Sequence, residues 1–204
     1  KMTMNSMYER CFKRIIDFVL VLGVLLIIWP ILFCITILLL IFNEGAGAFF
    51  MQERPGYKGR IFKIIKFKTM NERKGEDGKL LPDVQRITKF GGFVRKLSLD
   101  ELPQFLNILM GDMSFIGPRP KLYNTTKNLE SMNDDHQKSY MIKPGITGYA
   151  QAYYRNSITQ EEKYRWDAYY AEHISFVMDM KIIFQTFYSV VARKNINTVE
   201  SYKK

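Results

Sequence analysis

Asp100 and Glu101 stand side by side in KLSLDELPQ, and adjacent carboxylates can serve as nucleophile, metal ligand or orienting group. The same pair also fits a purely local role. Ser98-x-x-Glu101 has the spacing of a capping box, acidic residues favour the first turn of a helix, and Pro103 suits that turn if a helix begins near Asp100. A helix start would hold Asp100 ionised and orient it in either case. Arg95 precedes the pair by about one helical turn. Lys66, Lys68 and Arg119 lie in segments that can converge on it. Gly117-Pro118-Arg119-Pro120 is a stiff loop presenting one guanidinium, whose planar fork suits a phosphate. Lys143-Pro144-Gly145-Ile146-Thr147-Gly148 offers a second backbone-rich turn beside a cation.

The elements that must position these groups begin with an apolar run, Phe18 to Phe42, in which only Thr36 is clearly polar. As one straight helix it would rise roughly 37 Å, enough to cross a hydrocarbon core of roughly 30 Å. Pro30 divides it into halves of roughly 18 Å, close to the depth of one leaflet, and a kink is expected there. Lys1, Arg10, Lys13 and Arg14 precede the run, and Arg54, Lys58, Arg60, Lys63, Lys66 and Lys68 follow it. A spanning helix would leave one basic flank outside, whereas a helix that bends at Pro30 and returns keeps both in the cytoplasm. A kinked single span stays open as the alternative. The run is too long for a signal peptide, and no small-residue cleavage site follows it. Asp17, at i+4 from Lys13 and i+3 from Arg14, is expected to pair with them at the interface or as an ordinary surface ion pair.

A net charge of +10 and a pI near 9.5 point to an anionic partner, and the apolar run ranks lipid and phosphate ahead of nucleic acid. Cys11 and Cys34 have no metal spacing and make no disulfide framework, in keeping with a reducing cytoplasm. There is no internal repeat and no low-complexity tract. The pattern predicts a short β-hairpin, 48–52 with 60–70 about a Pro55-Gly56 turn, then an exposed loop over 71–85. It predicts helices over Ile87–Lys96 and Leu99–Met110, and a loop over Gly111–Pro120. A polar helix over Thr125–Tyr140 and a second loop over Lys143–Gln151 follow, then helices over Glu161–His173 and Ser175–Arg193. Aromatic and basic residues in the last two suit a helix in a headgroup plane or an ordinary amphipathic helix on a core.

KFKTM at 66–70, RKLSLDELPQ at 95–104, GDMSFIGPRP at 111–120, KPGITGYAQ at 143–151 and SFVMDMKI at 175–182 occur in one order behind a proline-broken apolar segment. From about Tyr8 to Arg193 the chain resembles the bacterial sugar transferase family, the monotopic phosphoglycosyl transferases, in a minimal catalytic form. The resemblance implies transfer of a phosphosugar from a UDP-sugar to undecaprenyl phosphate on the cytoplasmic face of the bacterial plasma membrane. Undecaprenyl diphosphate sugar and UMP would be the products, as the first membrane step of glycan assembly that feeds downstream glycosyltransferases. It also implies Mg²⁺, a nucleophilic aspartate at Asp100 with Glu101 as its dyad partner, both near the metal, and a re-entrant bend at Pro30. Family members often carry Ser before that proline; Trp29 stands there and cannot hydrogen-bond a freed carbonyl in the same way.

The candidate phosphate- and nucleotide-binding residues are Lys66, Arg95, Pro118, Arg119, Pro120, Gln151 and Arg155; His136, Tyr153, Tyr154 and Asn156 join Arg155 by position only. Lys13, Asp17, Trp29 and Pro30 make the membrane anchor and bend. The expected fold is α+β and mainly helical: a re-entrant membrane helix hairpin at 1–43, then a cytoplasmic-face catalytic domain at 44–204 with amphipathic interfacial helices and a small β-hairpin. Two other functions fit parts of the pattern. A non-catalytic basic membrane-anchored module explains the charge but not the acidic pair, and a glycosyltransferase would release UDP rather than UMP.

Overall fold

Thirty residues, Lys13–Phe42, form one helix, α1, in the computed structural model, which describes Tyr8 and residues 12–122, 132–155 and 157–192. Expectations placed on Lys1, Arg10, Cys11, Asn156, Arg193, Lys204 and the 125–131 part of the polar helix lie outside the described residues. Protein covers little of α1: Leu26, Ile27, Trp29, Phe33 and Ile41 are each more than half exposed. By length and composition α1 can cross a membrane. Pro30 lies inside it and withholds a donor from the carbonyl of Leu26. Further along, Thr36 donates its hydroxyl to the Leu32 carbonyl at 2.7 Å, so the helix satisfies its own polar side chain.

The chain divides into two compact units, residues 1–21, 53–62 and 108–204 forming the first and residues 22–52 and 63–107 the second. The expected hairpin is present: β1 (Phe49–Pro55) and β2 (Ile61–Phe67) make a two-stranded antiparallel sheet. In the second unit Ile64 and Phe67 of β2 are buried, three residues apart and so on opposite faces of the strand, while Lys63 is exposed. Short helices α2 (Asp83–Arg86) and α3 (Lys89–Lys96) follow. Ile35, Leu39, Ala48, Phe67 and Val94 form the core of this unit, with Phe90 and Leu99 against it. Asn43 is wholly buried, and its amide donates to the carbonyls of Gly47 at 2.8 Å and Lys68 at 2.6 Å, which fixes the chain as it leaves α1.

Helix α4 (Gln104–Met110) leads into the first unit, where two segments expected to be loops contain strands. β3 (Ser114–Ile116) and β4 (Gly145–Thr147) pair in parallel, Ser114 opposite Gly145 and Ile116 opposite Thr147. Each is only three residues long, so local periodicity carries no strand signal; distant partners create it. Gly117 lies so close to the other segment that a Cβ there would stand 2.2 Å from the Lys143 carbonyl. Then come α5 (Asp134–Ser139), α6 (Tyr149–Tyr153), α7 (Gln160–Glu172) and α8 (Phe176–Val191). Thr159 and Glu162 make a reciprocal capping box on α7. Ile116, Ile142, Ala152, Tyr170, Ile174 and Ile182 are the core of this unit. Helices predominate beside two small sheets, which is the mainly helical α+β composition expected.

Candidate active site

The acidic pair lies on a 3-10 turn, Leu99–Glu101, in the second unit. The expected capping box is absent there. Ser98 has φ 56° and no side-chain capping bond, whereas an N-cap needs extended backbone. The single helix expected over Leu99–Met110 is also broken, because Pro103 has no N–H to give to the Leu99 carbonyl. Leu102 N donates to that carbonyl instead, at 3.2 Å, and α4 starts at Gln104. The carboxylates are therefore not occupied in closing a helix end through Ser98.

Two devices bring cations to the pair. Asn107 of α4, wholly buried, accepts from Ile65 N at 3.0 Å and donates to the Lys63 carbonyl at 2.8 Å, so its amide reads the edge of β2 as a neighbouring strand would. The next residue of β2, Lys66, then reaches Glu101, Nζ to Oε1, at 3.1 Å. Helix α3 presses onto the backbone at Thr69: a Cβ on Gly91 would stand 2.0 Å from the Thr69 carbonyl, so only glycine fits. Arg95, in the last turn of α3, donates from Nε to Thr69 Oγ1 at 2.6 Å. Lys68, whose segment had seemed able to converge on the pair, bonds Glu72 four residues on. Burial, and next the Glu101 charge, push the Asp100 carboxyl above its ordinary value, while Lys66 and Arg95 pull it down.

Pro118, Arg119 and Pro120 belong to the first unit, where they line a cleft with Lys121, Ser139 and Tyr140. The two glycine-rich turns singled out in the sequence pack on each other there. Gly117 N donates to the Thr147 carbonyl at 2.8 Å and Gly145 N to the Pro118 carbonyl at 2.9 Å. Gln151 donates to the Ile146 carbonyl at 3.0 Å and ties α6 to β4, while its Oε1 is a buried acceptor that no described donor meets. Arg155 follows α6 in left-handed backbone, φ 49°, and its N–H bonds the Ala150 carbonyl at 3.0 Å. Lys66, Arg95, Asp100 and Glu101 thus share the second unit, and Arg119, Gln151 and Arg155 the first.

At the entrance to α1 the expected pairing is rearranged. Lys13 bonds Asp179 of α8 at 2.6 Å, and the hydroxyls of Tyr8 and Tyr170 donate to the same carboxylate at 2.8 and 2.6 Å. Asp17 instead accepts from Ser114 Oγ at 2.6 Å. At the end of α4, Arg14 donates to the carbonyls of Leu109 and of Ile108, the latter also accepting from Gly111 N at 3.0 Å. Asp179, Ser114, Thr69 and Asn107 were not singled out in the sequence. Only Asp179 carried a signal there, as an acidic residue inside an otherwise apolar helical stretch, SFVMDMKI.

A half-buried carboxylate pair flanked by Lys66 and Arg95, in a chain with a largely uncovered apolar helix, is a site suited to anionic substrates. The family model described as bacterial sugar transferase matches residues 8–193, and the chain belongs to that family. Among its relatives, an uncharacterized sugar transferase, EpsL, of Bacillus subtilis is 43% identical over 81% of this chain and 80% of its own length. The UDP-glucose:undecaprenyl-phosphate glucose-1-phosphate transferase of Escherichia coli is 34% identical over 91% of this chain and 41% of its own. The UDP-galactose-lipid carrier transferase of Erwinia amylovora is likewise 34% identical over 91% of this chain and 41% of its own. The chain therefore spans about two fifths of the length of the last two relatives.

Proposed function

We propose that this transferase moves a phosphosugar from a UDP-sugar to undecaprenyl phosphate and releases UMP, in two steps through a phosphosugar carried on Asp100. The names of the Escherichia coli and Erwinia relatives support the substrates. The observation that carries the chemistry is the acidic pair itself, half buried on its 3-10 turn with Lys66 bonded to Glu101. In the first step an Asp100 oxygen attacks the phosphorus that bears the sugar. The bond to the bridging oxygen breaks, and UMP leaves with that electron pair. In the second step an oxygen of undecaprenyl phosphate attacks the same phosphorus, and Asp100 departs as carboxylate. The acceptor is already ionised near neutral pH, so no general base is required. One difficult displacement becomes two easier ones.

The two carboxylates have different tasks in this scheme. Burial makes Asp100 more basic, hence a stronger nucleophile, while Lys66 and Arg95 keep it ionised. Glu101, held by Lys66, orients the pair. Among the described residues no group of three or more His, Cys, Asp or Glu could hold a metal ion. Two adjacent carboxylates nonetheless fit Mg²⁺, which keeps several waters and takes its remaining ligands from substrate phosphates. When bound at Asp100 and Glu101 it would offset the charge of the diphosphate.

The membrane arrangement belongs to the same proposal. Helix α1 enters the cytoplasmic leaflet, bends at Pro30 and returns, so Lys13 and Arg14 stay on the same side as Arg54, Lys58 and Arg60. The outer face of α8, with Phe184, Phe187 and Tyr188 all more than half exposed, lies in the headgroup plane. The test is direct. Brief exposure to a UDP-sugar without lipid acceptor should add one phosphosugar mass to the peptide containing Asp100, and addition of undecaprenyl phosphate should remove it. Release of UDP instead of UMP would end this reading in favour of sugar transfer alone.

A further inference from the structure

Lys121 follows the Pro118-Arg119-Pro120 turn, and its side chain is only 14% exposed. Its ammonium lies 3.5 Å from Asp167 Oδ2 and 4.2 Å from the centroid of the Tyr164 ring. Tyr164 and Asp167 stand three residues apart on the buried face of α7. Burial dominates both charged groups: it pushes the Asp167 carboxyl up to about 6 and holds the Lys121 ammonium below its ordinary value. The charges of Lys163 and Arg119 lower Lys121 further. Lys121 and Lys163 thus both act on the Asp167 carboxylate, while Arg119 and Lys163 act on Lys121.

A buried ion pair is a poor way to stabilise a fold, since apolar residues of similar volume do as well or better. What this pair does achieve is placement. An ammonium has three donors. Asp167 takes one, the Tyr164 face supports the charge from another side, and Lys121 lines the same cleft as Arg119, Ser139 and Tyr140. Pro55, Pro118, Pro120 and Pro144 also line it, so the walls are stiff and their geometry is set before anything binds.

We propose that Lys121 is a phosphate-contacting residue of this cleft and that Asp167, acting through it, is a positioning residue. The bound chemistry is a phosphate oxygen, which the UDP-sugar and the polyprenyl phosphate of the reading above both offer; the identity of those two molecules rests on that reading. The protein purified in detergent, as wild type and as Lys121→Met, is titrated calorimetrically with UDP and separately with a short-chain polyprenyl phosphate. Loss of one charge-assisted hydrogen bond should weaken binding of one of them by roughly tenfold to a hundredfold, and which one weakens identifies the source. Kd values within twofold of wild type for both would overturn the proposal, as would a wild type that binds neither. Asp167→Asn, close to isosteric, should raise KM for that same substrate several-fold with kcat retained, and Asp167→Glu should restore part of it. An unchanged KM in Asp167→Asn overturns the positioning role, and that variant carries the test if Lys121→Met does not fold. A wild type that binds UDP but releases no UMP counts against the transfer reaction and leaves the site standing.

Discussion

Two lysine–carboxylate pairs in this molecule are built to opposite specifications. Lys66 and Glu101 retain 19% and 21% of their side-chain exposure and meet at 3.1 Å on a short turn. Lys13 and Asp179 retain 10% and 3%, meet at 2.6 Å, and share the carboxylate with two tyrosine hydroxyls. A pair that solvent reaches can exchange its partner for an incoming anion or cation at small cost. A sealed carboxylate that takes three donors cannot be opened without stranding a charge. Residue types alone do not separate the two pairs; exposure and the number of supporting bonds do.

The largest effect should come from the reactive side. Asp100→Asn should lower UMP release by several orders of magnitude, since an amide is a poor nucleophile, with the far-ultraviolet circular dichroism unchanged. Comparable turnover in that variant would place the nucleophile elsewhere. On the sealed side, Lys13→Met leaves Asp179 buried without its cation and should destabilise the protein by about 3 kcal/mol, read as a lowered midpoint of thermal unfolding in detergent. A shift no larger than that of Lys66→Met would erase the distinction between the two pairs.

Lys66→Met should cost less stability than Lys13→Met, because solvent reaches its carboxylate partner more readily, but it should alter the pH dependence of turnover. Burial first and Glu101 second raise Asp100 above 3.8, while Lys66 and Arg95 lower it. In the proposed reaction Asp100 must be ionised to attack, so kcat/KM should fall on the acid side of that raised value. Removing Lys66 takes away one lowering charge and should move the acid limb to still higher pH; a limb that stays put or moves down contradicts the assignment. Linkage gives the matching sign for stability. A carboxyl raised on folding contributes stability that is present below its unfolded value and lost as pH rises through the folded one. Asp100→Asn should therefore be somewhat more stable than wild type at neutral pH. The smallest effect is expected for Thr69→Val, which removes the acceptor that holds Arg95 Nε at 2.6 Å; a few-fold rise in KM for the UDP-sugar would match a positioning contact.

Much of this was legible in the sequence, and the remainder was hidden for identifiable reasons. The apolar helix, the hairpin and the helices over 160–172 and 176–191 follow from local composition and period. The acidic pair and Lys66 could be marked as candidates because type and order suffice for that. Ser98 misled because a capping-box spacing says nothing about φ, and the left-handed backbone there defeats it. β3 and β4 were unreadable because three-residue strands exist only through their pairing. Asn107 and Asp179 were passed over because their worth depends on partners 42 and 166 residues away. Nothing in the sequence singles out Lys121, and its burial against Asp167 and Tyr164 is what sets it apart.

The bond between Lys13 and Asp179 also has a meaning in time. During synthesis Lys13 emerges from the ribosome 166 residues before its partner. Through that interval Lys13 at the base of the apolar helix has only nearby Asp17 to offset its charge, and it can rest on anionic headgroups while the helix finds lipid. Only when α8 has been made can Asp179 close over it. Burial of that charge thus waits for the synthesis of α8, and a nascent chain stopped before Asp179 should still load onto membranes while remaining open to protease at the base of α1.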